Sequence, residues 1–391
     1  MSRRLSIIIP FCNAAKYLER ALESVVALPF PDFECLCVDD GSTDGSSRIV
    51  ARFAERDSRF VLLCQEHRNA GVARNLGLSR SCGEYVTFLD ADDMMAPGNA
   101  LAEAVRRMDE DALDCLICGA QVVDSRAENP RPFESSLRKR FLPRSRVFSP
   151  DEAGAGLFII GGVAAWAKVY RRKMIETNGL GFADLPRSED ISFVQSALVL
   201  AKRISSFDKP LVLHRTGTDA SLEATKDETP LVFWEADRIF REWIQERGLW
   251  PAFRAASGFA TMGRISYNLT AMRSFDAFRR VLQIARSVYE TAKEDAAGVD
   301  DPLYLAVKRH VESFLSAPSA EDYVYREFRR LRAEKAEAKE QRAPVRPQKM
   351  IVADESRIAA LEAEIRALRS SESYRIGMAL TWPLRKVLRR G

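Results

Sequence analysis

Unbroken apolar runs alternate with helical spacings along the first 118 residues of the chain. Leu5 to Ile9 is apolar and β-branched, and Pro10 stops it. Leu18, Ala21, Leu22, Val25 and Val26 then share one helix face, within a helix predicted over Ala15 to Leu28 that Pro29 and Pro31 close. Strand-like runs return at Phe33 to Val38, Phe60 to Cys64, Glu84 to Leu89 and Leu113 to Ile117, with helices predicted over 46–56 and 70–81. Strands separated by helices predict a parallel, doubly wound α/β sheet with helices on both faces. Ligands of such sheets sit beyond the carboxyl ends of the strands, where the strand order reverses. Pro10, Asp39-Asp40 and Asp90-Asp92 all fall at such ends, so three segments aim polar groups at one rim.

The stretch from Glu84 to Pro97 is the most informative. Its apolar run ends abruptly in Asp90, Ala91, Asp92 and Asp93. Carboxylates buried without compensation are very costly, so these need a cation, hydrogen-bond donors or solvent. Residues i and i+2 of a strand point the same way, and Asp90 and Asp92 can therefore face one point. Two oxygen ligands converging there suit a hard divalent ion that keeps its other sites for water and a diphosphate. Read alone, the stretch fits an acidic turn capping the helix after Pro97 equally well. A nicotinamide-binding Rossmann domain would need G-x-G-x-x-G after the first strand. That position holds Pro10-Phe11-Cys12-Asn13, without glycine.

Further along, Arg126 to Arg146 is rich in proline, serine and arginine and predicts a long loop or flap. Ser188 reads as the N-cap of an apolar helix, which puts Glu189 and Asp190 in a first turn where the helix dipole favours negative charge. Ile204 to Phe207 and Leu211 to His214 read as two strands, followed by a turn over 215–221. From residue 229 the pattern is helical, with amphipathic stretches at 233–244, 252–272 and 275–292. A solvated, charge-laced helix is predicted over 323–342, broken at Ala343 to Pro347. Ile351, Ile358, Leu361, Ile365 and Leu368 recur at a/d spacing, fitting a short coiled coil and hence an oligomer, or a packed-down surface helix. Tyr374 to Gly391 combines Trp382 and leucines with Arg375, Arg385, Lys386, Arg389 and Arg390, and holds no acidic residue. It reads as a segment for an anionic membrane surface, or as a helix docked on the protein's own body.

Composition narrows the classes. At 391 residues there is room for two or three domains, and a net charge of +4 is too small to imply a nucleic-acid partner. Seven cysteines, all before residue 120, read as reduced thiols, and Cys115-x-x-Cys118 has no second pair to complete a zinc site. There is no signal-peptide segment and no run of ~18 apolar residues. A cytoplasmic protein is expected, peripheral on the cytoplasmic face of the inner membrane if the tail binds lipid.

Several ordered motifs over residues 4–220 together resemble glycosyltransferase family 2, inverting enzymes of GT-A fold. Ser6 to Asn13 resembles the family's first strand and nucleotide loop, and Val38-Asp39-Asp40-Gly41-Ser42-Thr43-Asp44 its second motif. Asn69 to Gly77 resembles the helix that follows, Asp90-Ala91-Asp92 the DxD metal motif, and Glu189-Asp190 the "ED" pair. Lys168 to Arg172 is similar to the segment before that pair. One departure is Cys12, where the family commonly carries Tyr or a similar residue.

The resemblance implies a Rossmann-like, doubly wound mixed sheet followed by a helical C-terminal region. It implies nucleotide and donor binding by Pro10, Phe11, Asn13, Asp39, Asp40, Asn69, Gly71, Arg74, Asn75 and Asp90, with Asp40 on the uracil ring. Asp90 and Asp92 would hold Mn²⁺ or Mg²⁺, with His214 as a further candidate ligand. Asp190 would be the catalytic base, supported by Glu189, with Trp166 and Lys168 on the acceptor side. The expected activity is inverting transfer from a UDP-sugar to a hydroxyl of a glycan or lipid-linked acceptor, in surface polysaccharide synthesis. A nucleotide-sugar-binding scaffold without turnover is the alternative; a nucleotidyltransferase lacks its glycine-rich basic loop here. The expected domains are 1–222 for transfer (nucleotide half 1–118, acceptor half 119–222), 223–318 helical, 319–372 charged helix and coiled coil, and 373–391 basic tail.

Overall fold

A computed structural model describes residues 3–124, 127–216 and 225–340. The predicted coiled coil and basic tail, and the turn beyond Thr216, lie outside the described residues.

The sheet is built from β1 (Leu5–Phe11), β2 (Phe33–Asp40), β3 (Phe60–Gln65), β4 (Tyr85–Phe88), β5 (Met94–Met95), β6 (Cys115–Asp124), β7 (Ala127–Pro132), β8 (Val147–Phe148), β9 (Lys168–Arg171) and β10 (Ile204–Thr216). Its order is β3-β2-β1-β4-β9-β6-β10-β5, with β7 beside β6 and β8 beside β10. β1 to β4 run parallel, while β9 runs antiparallel between β4 and β6, so the sheet is mixed. β1, β2 and β4 are buried along nearly their whole length, which is why they read as continuous apolar runs.

The strand order reverses at β1, which pairs β2 on one side and β4 on the other. Phe11 is in register with Asp39, and Ile8 with Phe88. The β1 loop, the Asp39-Asp40 end of β2 and the Asp90 turn after β4 therefore share one rim.

Helices α1 (Ala15–Val26), α2 (Ser46–Arg56) and α3 (Ala70–Arg80) connect the first four strands, and α4 (Ala100–Glu110) leads to β6. The second half adds three short helices, α5 (Pro150–Ala153), α6 (Leu157–Ile160) and α7 (Arg172–Thr177), and then α8 (Asp190–Leu200). After the sheet come α9 (Val232–Glu246), α10 (Trp250–Ala271), α11 (Phe275–Asp295), α12 (Pro302–Leu315) and α13 (Ala320–Glu340). They rest on the second half edge-to-face: Phe240 meets Phe158 at 5.3 Å and Phe259 meets Phe141 at 5.9 Å between ring centroids.

Three local expectations differ from the structure. Residues 127–132, expected as loop, form β7 against β6. The two strands expected at 204–214 are one strand, β10, which passes Pro210 by shifting register against β6 between Phe207 and Val212. A bulge spares the proline its missing ladder donor. α12, not singled out in the sequence, is capped by Asp301, which accepts from the Leu303 amide at 2.8 Å, and buries Tyr304, Val311 and Phe314.

α3 lies close on β1 because Gly77 has no side chain: a Cβ there would sit 2.5 Å from Ile8 Cγ2. Gly77→Ala gains up to ~1 kcal/mol of helix propensity but overpacks a full core at a cost of ~1–3 kcal/mol. A net loss of roughly 1–2 kcal/mol in equilibrium urea unfolding is expected.

Candidate active site

At the β1–β2 end of the rim, two loops are zipped together by backbone–side-chain bonds. The Asn13 amide donates to Ser42 Oγ at 3.0 Å, the Thr43 amide to Asn13 Oδ1 at 2.8 Å, and the Ala15 amide to Asp44 Oδ2 at 3.0 Å. Asn13 adopts φ 50°, a left-handed position its short amide side chain tolerates. Asp39 accepts from the Ser42 amide at 2.8 Å and from the Ser47 hydroxyl, so it shapes the turn. Buried Asp40 accepts from Gln65 Nε2 at 2.6 Å and the Arg68 amide at 2.8 Å, while His67 Nδ1 lies 3.0 Å from its Oδ2. Pro10 and Phe11 are buried, and Phe11 packs in the core at 4% exposure. Phe11, expected on the nucleotide, thus contributes its ring to the core, at the end of β1 beside the rim.

α3 carries the next set. Asn69 caps the helix by accepting from the Val72 amide at 3.0 Å and donates from Nδ2 to Asp184 at 2.6 Å, a carboxylate that Arg68 also holds. Asn75 exchanges bonds with the Phe182 backbone, donating to its carbonyl at 2.9 Å and accepting from its amide at 2.8 Å. A Cβ on Gly71 would sit 2.5 Å from the Ala183 carbonyl oxygen and 2.9 Å from Glu189 Cγ. Asn69, Gly71 and Asn75, expected on the donor, thus spend these contacts clamping segment 182–189 onto α3.

Arg74, from the same helix, is 6% exposed. Its guanidinium pairs with Asp90 at 2.7 Å and with Glu189, and lies over the Phe182 ring. Burial alone would weaken its hold on the proton, but the charges of Asp90 and Glu189 outweigh this and raise its pKa. One cation therefore joins the acidic turn after β4 to the pair at the start of α8.

At that turn Asp90 and Asp92 are partly exposed and Asp93 is fully buried. Asp93 accepts from the Arg215 amide at 2.7 Å and faces His214 Nδ1 at 3.0 Å, while Arg215 Nε donates to the Asp92 carbonyl at 2.9 Å. Burial, then the charges of Asp93 and Asp90, push Asp92 up to about 7. The His214 pKa is raised: burial lowers it, and the bond and charge of Asp93 more than compensate. Crowded carboxylates that hold a proton so far above the usual range are what a divalent cation would relieve. Asp90, Asp92 and His214 supply carboxylate and imidazole donors of the kind such an ion takes, but among the described residues their ligand atoms do not stand within 4.8 Å of one another, so an ion there would have to draw them together.

Ser188 is not the N-cap; it takes φ 57° in the left-handed region, and α8 begins at Asp190 behind an N-cap at Glu189. This uncommon conformation for serine sits directly before the acidic pair. Asp190 keeps partial access to solvent. Burial, with the nearby Glu189 charge, raises it to about 7, partly offset by Arg74.

Lys168, expected at the acceptor, is instead fully buried and donates to the carbonyls of Gly161 at 2.9 Å, Gly162 at 3.3 Å and Ala164 at 2.7 Å. Burial lowers its pKa to about 8. Its role is to hold the 161–164 loop. Trp166, 7% exposed, stacks on His214 (centroids 5.1 Å apart) and on Phe133 (5.9 Å), so it braces the imidazole more than it faces the cleft. Cys115 and Cys118 lie in β6, where burial raises both thiols. Sequence reasoning missed Arg215, Phe133 and Asp184. Only Arg215 carried a signal, as the charge that follows His214 at a strand end.

Removing one partner of a buried ion pair typically costs ~3–5 kcal/mol. Arg74→Met is expected to lose about that much in urea unfolding at neutral pH, whereas Arg68→Met, whose Asp184 contact is exposed, should lose under ~1 kcal/mol.

Residues 6–179 match the family model for glycosyl transferase family 2. The chain is similar to EpsH of Bacillus subtilis (strain 168), 27% identical over 267 residues, which cover 64% of this chain and 72% of that protein. It is also similar to the poly(ribitol-phosphate) beta-N-acetylglucosaminyltransferase TarS of Staphylococcus aureus, 27% identical over 245 residues, or 60% of this chain and 39% of TarS. The crystal structure of S. aureus TarS 1-349 in complex with UDP-GlcNAc aligns at 20% identity with a TM-score of 0.48, covering 80% of this chain and 92% of that one. Over residues 6–179, a little under half of the chain, the sequence is similar to glycosyltransferase family 2, and the acidic turn at the rim of the mixed sheet lies within that stretch.

Proposed function

We propose that this chain is an inverting glycosyltransferase that moves a sugar from a nucleoside-diphosphate donor, UDP-linked by preference, to a hydroxyl of a glycan or lipid-linked acceptor in surface polysaccharide synthesis. The observation that carries the reading is the meeting of Asp90 and Glu189 on the Arg74 guanidinium. It joins the turn suited to a diphosphate to the pair suited to an acceptor hydroxyl.

In this reading Asp40, fixed by Gln65 and Arg68, accepts from the edge of the nucleobase. The zipped loops around Asn13 and Ser42 hold the pocket open without reorganisation on binding. Asp90, Asp92 and His214 would hold Mn²⁺ or Mg²⁺, which supplies Lewis-acid neutralisation of charge on the departing diphosphate. Asp93 and Arg215 keep that turn in place. Asp190 takes the proton of the attacking hydroxyl, and its raised pKa suits a base working near neutral pH. Glu189, tied to Arg74, keeps the start of α8 aligned. A single in-line displacement inverts the anomeric centre and needs no protein nucleophile. The family-model match over residues 6–179 and the similarity to glycosyltransferases support the reaction class. TarS is named for transfer of N-acetylglucosamine to a polymer, which supports a sugar donor and a polymeric acceptor.

Of the domains expected from the sequence, we take the sheet with its flanking helices as the transfer unit and α9 to α13 as an accessory helical unit. No helix among the described residues is long and apolar enough to cross a membrane. A peripheral membrane role for 374–391 and an oligomer through 351–372 are retained as parts of the proposal, tested by liposome sedimentation and light scattering of chains truncated at 340.

General-base assistance typically supplies ~10²–10⁴-fold in rate. Asp190→Asn is expected to lower turnover by that factor while the Kd for UDP stays within about twofold, since Asp190 lies at the acceptor side. Wild-type kcat/KM should fall as pH drops through about 7, because the base must be unprotonated, and Asp190→Asn should lack this limb. A panel of nucleotide sugars, assayed by release of the nucleoside diphosphate, identifies the donor. Undiminished turnover of Asp190→Asn would rule out the base assignment.

A further inference from the structure

Cys12, Asp40 and His67 come from three separate segments: the loop after β1, the end of β2 and the loop before α3. One ligand atom from each lies within 4.8 Å of the other two. Cys12 Sγ is 3.6 Å from His67 Nδ1, and the same nitrogen is 3.0 Å from Asp40 Oδ2. A tetrahedral zinc ion, with bonds of about 2.3 Å to sulfur and about 2.0–2.2 Å to nitrogen and oxygen, separates its sulfur and nitrogen ligands by roughly 3.6 Å and its nitrogen and oxygen ligands by roughly 3.4 Å. The sulfur–nitrogen distance already matches. The nitrogen–oxygen distance opens enough with a slight turn of the His67 ring, which is 67% exposed.

Chemistry and preorganisation agree with the geometry. Thiolate, imidazole and one carboxylate form a softer donor set than the oxygen-rich turn at Asp90 to Asp93, and such a set prefers zinc or cobalt to magnesium or manganese. Asp40 is fixed before any ion arrives, by Gln65 and the Arg68 amide. Cys12 and His67 are both exposed, which leaves the fourth tetrahedral position to water. His67 Nδ1 also lies 3.0 Å from the Asp40 carbonyl oxygen, to which it donates when protonated. Binding needs the tautomer with its proton on the solvent-facing Nε2, and it releases the Cys12 thiol proton to solvent as the sulfur–metal bond forms.

We infer that Cys12, Asp40 and His67 form a zinc-class metal site at the nucleoside end of the cleft, and that a metal bound there and the donor nucleotide exclude each other. The exclusion rests on the reading above, in which Asp40 contacts the nucleobase; the metal site itself does not. An ion held by Asp40 Oδ2 occupies the acceptor that the base needs. Zinc would thereby act as an inhibitor competitive with the donor, distinct from the divalent ion that the Asp90 turn suits.

Cobalt(II) titrated into the full chain under excess Mg²⁺ tests both parts, because cobalt–thiolate ligation gives a near-ultraviolet charge-transfer band that oxygen ligands do not. One equivalent of cobalt is expected to raise the band in the wild type. Cys12→Ser should abolish it, and His67→Ala should weaken cobalt binding by more than the ~10–100-fold that loss of an outer partner costs. UDP added to the cobalt-loaded wild type should remove the band. A band undiminished in Cys12→Ser overturns the metal site, and a band unmoved by saturating UDP overturns the exclusion. UDP binding measured with Mg²⁺ and without cobalt is the separate arm. Failure to bind there refutes the nucleotide reading and with it the exclusion, while the cobalt band still decides the site.

Discussion

The cleft is organised by a buried positive charge. Arg74 lies within α3 under the rim, and a lone guanidinium at that depth would be very costly. It is tolerable because Asp90 arrives from the end of β4 and Glu189 from the start of α8. Neither carboxylate can leave without exposing the other two groups to an uncompensated field, so the three segments hold a common geometry. A buried ion pair is weak evidence for added stability. Its consequence here is placement: Arg74 ties the acidic turn after β4 to the start of α8. The neighbouring contacts serve the same end. Gly71 allows the 182–189 segment to lie on α3, Asn75 clasps the Phe182 backbone, and Asn69 holds Asp184.

Around this charge the acids divide by what compensates each. Glu189 has the guanidinium directly, whereas its chain neighbour Asp190 feels Arg74 only through space and is left with burial and a like charge beside it. That difference ties Glu189 to Arg74 and leaves Asp190 an acid weaker than usual, in keeping with the base role proposed for it. Asp93 is balanced by His214 and the Arg215 amide, and the imidazole is braced by Trp166 and Phe133. Asp92 is raised chiefly by burial and then by the charges of Asp93 and Asp90, with His214 offsetting part of this. Asp190 reaches a similar value by burial and the charge of Glu189.

The half of the molecule that was legible in the sequence is the half governed by local patterning. β1, β2 and β4 are buried on both faces, so they appear as apolar runs, and the residues that follow them mark the rim directly. What escaped depends on tertiary partners. β9 enters antiparallel between β4 and β6 because its neighbours select it, not its sequence. β10 continues past Pro210 only because the register shifts there. Phe11, expected among the nucleotide- and donor-binding residues, packs in the core, and Lys168, expected on the acceptor side, meets three carbonyls inside the fold. The α3 motif was recognised, but the direction of its side chains was not, because Asn69, Gly71 and Asn75 answer to a segment more than a hundred residues later.

Cys12 brings these strands of argument together. Asp40 at the end of β2 is fixed by Gln65 and Arg68, so its remaining acceptor capacity is pre-aimed, and whatever stands beside it decides what that capacity meets. An aromatic side chain at position 12 would offer a nucleobase a face to stack on. A cysteine offers no such face and puts a soft ligand 3.6 Å from an imidazole instead. The base would then depend on edge hydrogen bonds in a pocket whose walls, the zipped loops of Asn13 and Ser42, are already rigid. Rigid acceptors discriminate by where a donor N–H lies more sharply than by ring size, because leaving a buried carboxylate unpaired is the larger cost. On the proposed reading, selectivity at both ends of the cleft would come from a fixed carboxylate and the charge or proton its neighbours leave it to find.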